Sequence, residues 1–281
     1  MKTFLPVSYN IPFPFIPDEM RKTFLHELAV NGAKYVVLGS GLLPELMARP
    51  ELPEIIGSEM RNEGLEFMDA HAPYGPHWDI GAPFESERPA RMLRMKLAIE
   101  LAAFFKVRTM TLHMGKLHEG MRAEERFANV CRSLEELLPF AESRGVTLCV
   151  ENGFAYLGFP QNLLAVKKEF PTDALGFCFD AGHANMKFAP DPEKQAWEVD
   201  EEAFLDAMLP HMVNCHIHDN DGMHDKHDLP GRGCADWERI VSKLKKSPRL
   251  QVIQSEVNLR SNIVAVRELV GTFDKIFAEN I

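Results

Sequence analysis

The feature that most constrains this chain is a rhythm: short apolar or β-branched runs, bounded by Gly, Pro, Asn or Asp, alternate with longer amphipathic stretches. The strand-type runs fall at 3–9, 35–39, 65–71, 109–113, 146–151, 175–180, 212–218 and 251–256. Their length and their flanking turn residues separate them from buried helix segments. Stretches such as 88–106, 123–144 and 261–278 run for several turns with charges on one face, as helices covering a sheet do. Strand alternating with helix implies a parallel sheet. Eight such pairs with no break in composition imply one α/β domain over residues 1–281, closed as a (β/α)8 TIM barrel. Barrels of about 250 residues fold as one unit, so the length fits.

Metal-type side chains recur where these runs end: His71, His113, Glu151, Asp180, His216 and Glu256, carried by DAHAPY, LHMG, CVENG, FDAGHAN, CHIHDND and QSEVN. The C-terminal strand ends of such a barrel share one rim, where activity sits. Each residue alone has a structural reading: Glu151 caps a turn before Asn-Gly, Asp180 caps the next helix, and His216 fills the core. As a set, Glu151, Asp180, His216 and Glu256 offer three carboxylates and one imidazole. That suits one divalent metal ion such as Mn, Co or Mg, with Zn also compatible. In HIHDNDGMHDKHDLPGRGCADW, His216 and His218 are two apart on one strand face, and Asp225 and His227 two apart in the loop. His26, His77, His118, His211 and His224 read as surface or structural residues.

The longest connection, APYGPHWDIGAPFESER after the third run, carries Tyr74, Trp78 and Phe84. It fits a lid over the rim and equally a packed surface loop. NIPFPFIP sets Phe13 and Phe15 near the same rim, either shielding a ligand or plugging the barrel end.

Composition narrows the function. Apolar residues make up 46% and charged residues 26%, so a sizeable core is expected and disorder is not. Lys plus Arg total 31 against 41 Asp plus Glu, a net charge of −10 that disfavours a broad grip on nucleic acid or an anionic membrane. Five cysteines without a CxxC pair suggest neither a disulfide framework nor a thiolate zinc site. MKTFLPVSYN lacks an apolar signal core, and no uninterrupted apolar stretch of about 18 residues occurs, so a cytoplasmic protein is expected.

On HAPY, LHMG, the Glu of ENG, FDAGHAN, HIHD, DKHDLPGRGCADW and the Glu of SEVN, the chain resembles the xylose isomerase-like superfamily of sugar isomerases and epimerases, over nearly its whole length. That superfamily also includes endonuclease IV-type abasic-site nucleases. The resemblance implies a metal held by Glu151, Asp180, His216 and Glu256, with His183 contacting substrate or a further metal. His71, Trp78, His113, His183, His218 and His227 are the expected substrate-binding residues. Similarity to ketose 3-epimerases assigns proton transfer to Glu151 and Glu256, on opposite faces of a sugar or polyol, through a cis-enediolate. The expected enzyme is thus a metal-dependent isomerase or epimerase, and the resemblance suggests a homodimer or homotetramer, as relatives of this kind often are.

In the nuclease branch, His71, His113, His183, Asp225 and His227 complete a three-zinc cluster. Against that reading, no cluster of Lys or Arg marks the rim loops: the third loop offers only Arg88 and Arg91. A barrel that binds without turnover is disfavoured by the presence of both candidate acid/base carboxylates. One departure from the epimerase pattern is the absence of an Arg shortly after the metal histidine, where Ile217, His218, Asp219 and Asn220 stand. Another group must hold the far end of the substrate, with His218, Lys187 and Arg232 as candidates.

Overall fold

A computed structural model describes residues 3–115, 120–153, 158–186 and 201–279. Eight parallel strands close into a barrel in sequence order: β1 (Val7–Tyr9), β2 (Tyr35–Leu38), β3 (Glu66–His71), β4 (Thr109–Leu112), β5 (Thr147–Glu151), β6 (Leu175–Asp180), β7 (Met212–Ile217) and β8 (Val252–Ser255). Around them lie α1 (Asp18–Val30), α2 (Leu42–Ala48), α3 (Leu52–Asn62), α4 (Arg88–Phe104), α5 (Ala123–Ser143), α6 (Pro160–Glu169), α7 (Ala181–Asn185), α8 (Glu201–Met208), α9 (Trp237–Leu244) and α10 (Val266–Ile276). The β1–β8 pairing closes the sheet, with Ser8 level with Gln254. Among the described residues no helix is long and apolar enough to cross a membrane.

Seven of the eight strands are shorter than the runs that announce them, and β6 matches its run. β1 begins only at Val7, after Pro6, which has no N–H to give a ladder. Thr3 forms instead an isolated antiparallel bridge with Ala278. His113, His218 and Glu256 lie just past the ends of β4, β7 and β8, so their side chains sit at the rim on short extended tails. The last helix starts at Val266 because the chain after β8 first turns through Asn258 and Asn262, whose N–H groups bond to His227 O and Asn258 O.

Between sheet and helices the core is apolar. The barrel interior differs: Ser8, Asp69, Thr109, Thr111, Asn214 and Gln254 are all buried there or at its wall. Asn214 Nδ2 reaches across from β7 to Asp69 Oδ2 at 3.1 Å and Thr111 Oγ1 at 3.3 Å. The polar rim therefore continues downward into a polar layer in which Asn214 pairs with Asp69 and Thr111, while Thr109 Oγ1 and Gln254 Oε1 are buried without a protein partner among the described residues.

Candidate metal centre

The centre is built from consecutive strand ends. Glu151 closes β5 and Asp180 closes β6, His216 is level with Asp180 on β7, and Glu256 follows β8. His216 Nδ1 lies 2.9 Å from Glu151 Oε1, 3.3 Å from Glu256 Oε1 and 3.8 Å from Asp180 Oδ2. One ligand atom from each of these four residues lies within 4.8 Å of the others. A single ring nitrogen carries at most one proton, so it cannot satisfy three carboxylates. Burial opposes a charged imidazole, yet Glu256 and Glu151 overcome it and push His216 up to about 10. Burial likewise opposes ionised Glu151, and the His216 and His113 rings overcome it, holding that carboxyl well below the usual range. A floor of three converging carboxylates held by a protonated histidine is one that a divalent cation fits, with oxygen and imidazole donors of the right type.

Two further groups adjoin this floor. On one side His113 Nε2 is 2.8 Å and His71 Nε2 3.5 Å from Glu151 Oε2. His71 Nδ1 donates to Ala72 O at 2.8 Å, which turns Nε2 toward Glu151. On the other side stand His183, His218, Asp225 and His227. His227 Nε2 and His183 Nε2 lie 3.2 and 3.6 Å from Asp225 Oδ2, and His218 Nε2 lies 3.1 Å from Asp180 Oδ1. His227 has a left-handed backbone, φ 47°, a sparsely populated state for a side-chain-bearing residue. Asn262 Nδ2 and Asn258 N pin it by donating to its carbonyl at 2.7 and 2.8 Å.

Above the floor opens a cavity of about 930 Å³, bordered by residues that follow each of the eight strands. Tyr74 stacks on His113 with ring centres 5.4 Å apart, and Trp78, Phe15, Leu42 and Leu259 form apolar wall.

A family model described as xylose isomerase-like TIM barrel matches residues 25–260, most of the chain. The chain belongs to this family. An uncharacterised protein of Methanocaldococcus jannaschii is 26% identical over 217 residues, 72% of this chain and 71% of its own length. The fold is similar to that of a D-tagatose 3-epimerase-like protein, at 20% identity and TM-score 0.76 over 97% of this chain and 99% of that one. It is also similar to that of a 3-keto-D-glucoside 4-epimerase from E. coli, at 14% identity and TM-score 0.73 over 96% and 99%.

Within this xylose isomerase-like barrel, Glu151, Glu256, His71, Trp78, His113, His183 and His227 border the cavity. Asp180, His216 and His218 lie beneath them, fully buried. His218 is thus held between Asp180 and the stacked His227 ring, 3.8 Å away, and does not line the cavity. Gly182 is required there, since a Cβ would fall on the His218 ring. Lys187 and His118 lie outside the described residues. Arg232 is engaged by Glu268 at 2.6 Å and stands away from the cavity wall. Arg88 pairs with Glu136, and buried Arg91 donates to Phe84 O. Phe13 is buried against Phe67, whereas Phe15 stays exposed on the cavity wall.

Several supporting residues were not foreseen. Asn152 clamps β5 to β6, donating to Asp180 O at 2.9 Å while its Oδ1 accepts from Asp180 N at 2.7 Å. Buried Asp219 accepts from Asn220 N, Gly231 N, Ala235 N and Trp237 Nε1, which folds the loop that presents Asp225 and His227. Gln254 donates to Glu256 Oε1 at 2.7 Å. Its place two residues before Glu256 was the available signal, because such residues share a strand face.

Proposed function

We propose that this chain is a divalent-metal-dependent isomerase or epimerase of a sugar or related keto-polyol. The observation that carries it is the pair Glu151 and Glu256: both border the cavity, both face His216 Nδ1, and they arrive from separate strands, β5 and β8. Glu151, Asp180, His216 and Glu256 would hold the ion, which when bound polarises a substrate carbonyl and acidifies the neighbouring C–H. Glu151 is kept ionised and so is able to accept a proton from that carbon. Glu256, fixed by Gln254, faces the same space and is placed to return one. Return to the same carbon gives an epimer, and to the neighbouring carbon an aldose–ketose isomer. The 3-keto-D-glucoside 4-epimerase and the D-tagatose 3-epimerase-like protein that share the fold support this reading.

The test is solvent-deuterium uptake into ketoses, followed by NMR, for the wild-type chain and for Glu151→Gln and Glu256→Gln. Uptake that either substitution abolishes while ketose binding persists is the expected result. Uptake by no ketose, with metal loaded, would sink the assignment.

One observation favours a second reading. The groups His71–His113–Glu151 and His183–His218–Asp225–His227 flank the central four, and Glu151 belongs to both the first group and the centre. That is the donor set for more than one ion and for hydrolysis of an abasic-site phosphodiester. Arg260 is the only Lys or Arg bordering the cavity among the described residues, which leaves a nucleic-acid backbone little to grip. Elemental analysis separates the two: one ion per chain supports the isomerase, and two or three zinc ions support the hydrolase.

A further inference from the structure

The position after the metal-type histidine offers no cation for the far end of a substrate, and among the described residues several arginines near the rim are committed elsewhere. Arg88, Arg91 and Arg232 are bound to Glu136, to backbone carbonyls and to Glu268, and Arg126 is buried against Asp79. Arg260 differs from all of these. It is exposed, it borders the cavity, and it has no carboxylate partner among the described residues. In a chain of net charge −10 an uncommitted guanidinium on the cavity wall is a conspicuous exception.

The guanidinium is held without using its donors. Its carbon sits 4.8 Å from the centre of the Phe15 ring, which also borders the cavity. A cation over an aromatic face is oriented by the ring, and the N–H groups in its plane stay available. The loop that carries it is fixed on both sides: Asn258 N and Asn262 Nδ2 donate to His227 O, and Asn262 O accepts from Arg232. Arg260 is thus tied to the metal-type cluster through His227, four residues beyond Glu256, at the exposed side of the cavity. A planar fork with free, oriented donors is built for a two-oxygen anion.

The cavity agrees. At about 930 Å³ it lies at the upper end of the range for small-ligand sites, roughly 300–1,000 Å³. Its walls alternate apolar residues, Leu42 and Leu259, with polar ones, Asn10, Ser40 and Ser261, and Arg260 is the cation among them.

We propose that Arg260 binds a carboxylate or phosphate on the substrate, so that the enzyme acts on an acidic sugar and not on a neutral one. This rests on the isomerase reading above. The test is calorimetric binding of D-fructose, D-fructose 6-phosphate and D-fructuronate to the Mn-loaded full chain, to Arg260→Met and to Arg260→Lys. At least one anionic probe should bind the wild type tenfold or more tighter than fructose. Arg260→Met should erase that preference and Arg260→Lys retain part of it, and the preferred probe tells phosphate from carboxylate. Equal binding of all three probes, no binding of any, or a preference that survives Arg260→Met overturns the assignment. Deuterium uptake by the same probes is scored separately. A lost preference without uptake in any variant sinks the isomerase reading alone, and uptake without preference sinks the role of Arg260 alone.

Discussion

Gln254 Nε2 donates to Glu256 Oε1 across 2.7 Å, from within the barrel to the floor of the cavity. Gln254 is also level with His216 on the neighbouring strand and with Ser8 on the closing one. It therefore orients the Glu256 carboxylate from a position that does not border the cavity. Gln254→Met, similar in volume and lacking the donor, should weaken metal binding by about 10–100-fold. Competition against a calibrated chelator measures this, and an unchanged affinity would refute the positioning role.

Metal loading should release protons. His216 is pushed up to about 10 in the metal-free site, against burial, by Glu256 and Glu151, so at neutral pH its ring is charged and must become neutral to act as a ligand. In the metal-free chain this raised value stabilises the fold fully below the unfolded histidine range, and that stability is lost as pH rises through about 10. Titration calorimetry at pH 7 in buffers of different ionisation enthalpy should show net release of at least one proton per ion, and affinity should climb with pH. Zero release would contradict the geometry of the floor.

Asp69 provides a pH signature of the interior layer. Burial pushes its carboxyl up to about 6, opposed by the hydrogen bond from Asn214. A raised carboxyl contributes its stability below the ordinary carboxylate range, and that contribution is lost as pH rises through about 6. The loss is on the order of 3 kcal/mol. Asp69→Asn keeps an acceptor for Asn214 and removes the ionisation. Between pH 4 and pH 6, below the range in which the raised histidines lose their contribution, urea midpoints of chelator-treated Asp69→Asn should rise relative to those of the wild type, and an unchanged difference would refute the ionisation of Asp69 as the cause.

Arg126 and Asp79 anchor the loop after β3. Arg126 is fully buried, its Nη2 lies 2.5 and 2.6 Å from the two Asp79 oxygens, and Ser133 Oγ donates to Ile80 O beside them. Gly115 has φ 84°, and a Cβ there would fall on this ion pair, so the turn after β4 closes over it. Asp79→Ala leaves a buried guanidinium without its counter-charge and should cost about 3–5 kcal/mol. Arg126→Met with Asp79→Asn should recover much of that loss. Chemical denaturation measures both, and a cost below about 1 kcal/mol for the single change would show that the pair does not hold the loop.

What the sequence determined by itself was whatever follows from local periodicity and order. Short apolar or β-branched runs alternating with amphipathic stretches specify eight parallel strands, and the polar residues that end most of those runs then land on one rim, so Glu151, Asp180, His216 and Glu256 were legible before any coordinate. Contacts between segments remote in sequence were not. Asn214 with Asp69, Asp219 with Trp237, and His227 stacked on His218 depend on barrel closure and on the path of the rim loops. The same is true of the cations. Arg232 and Arg260 look alike in the sequence, and only packing shows Arg232 committed to Glu268 while Arg260 rests on Phe15 at the cavity wall. A side chain's chemistry is set by its type, but whether its charge is already neutralised is decided by its neighbours in space, and those exist only once the barrel has closed.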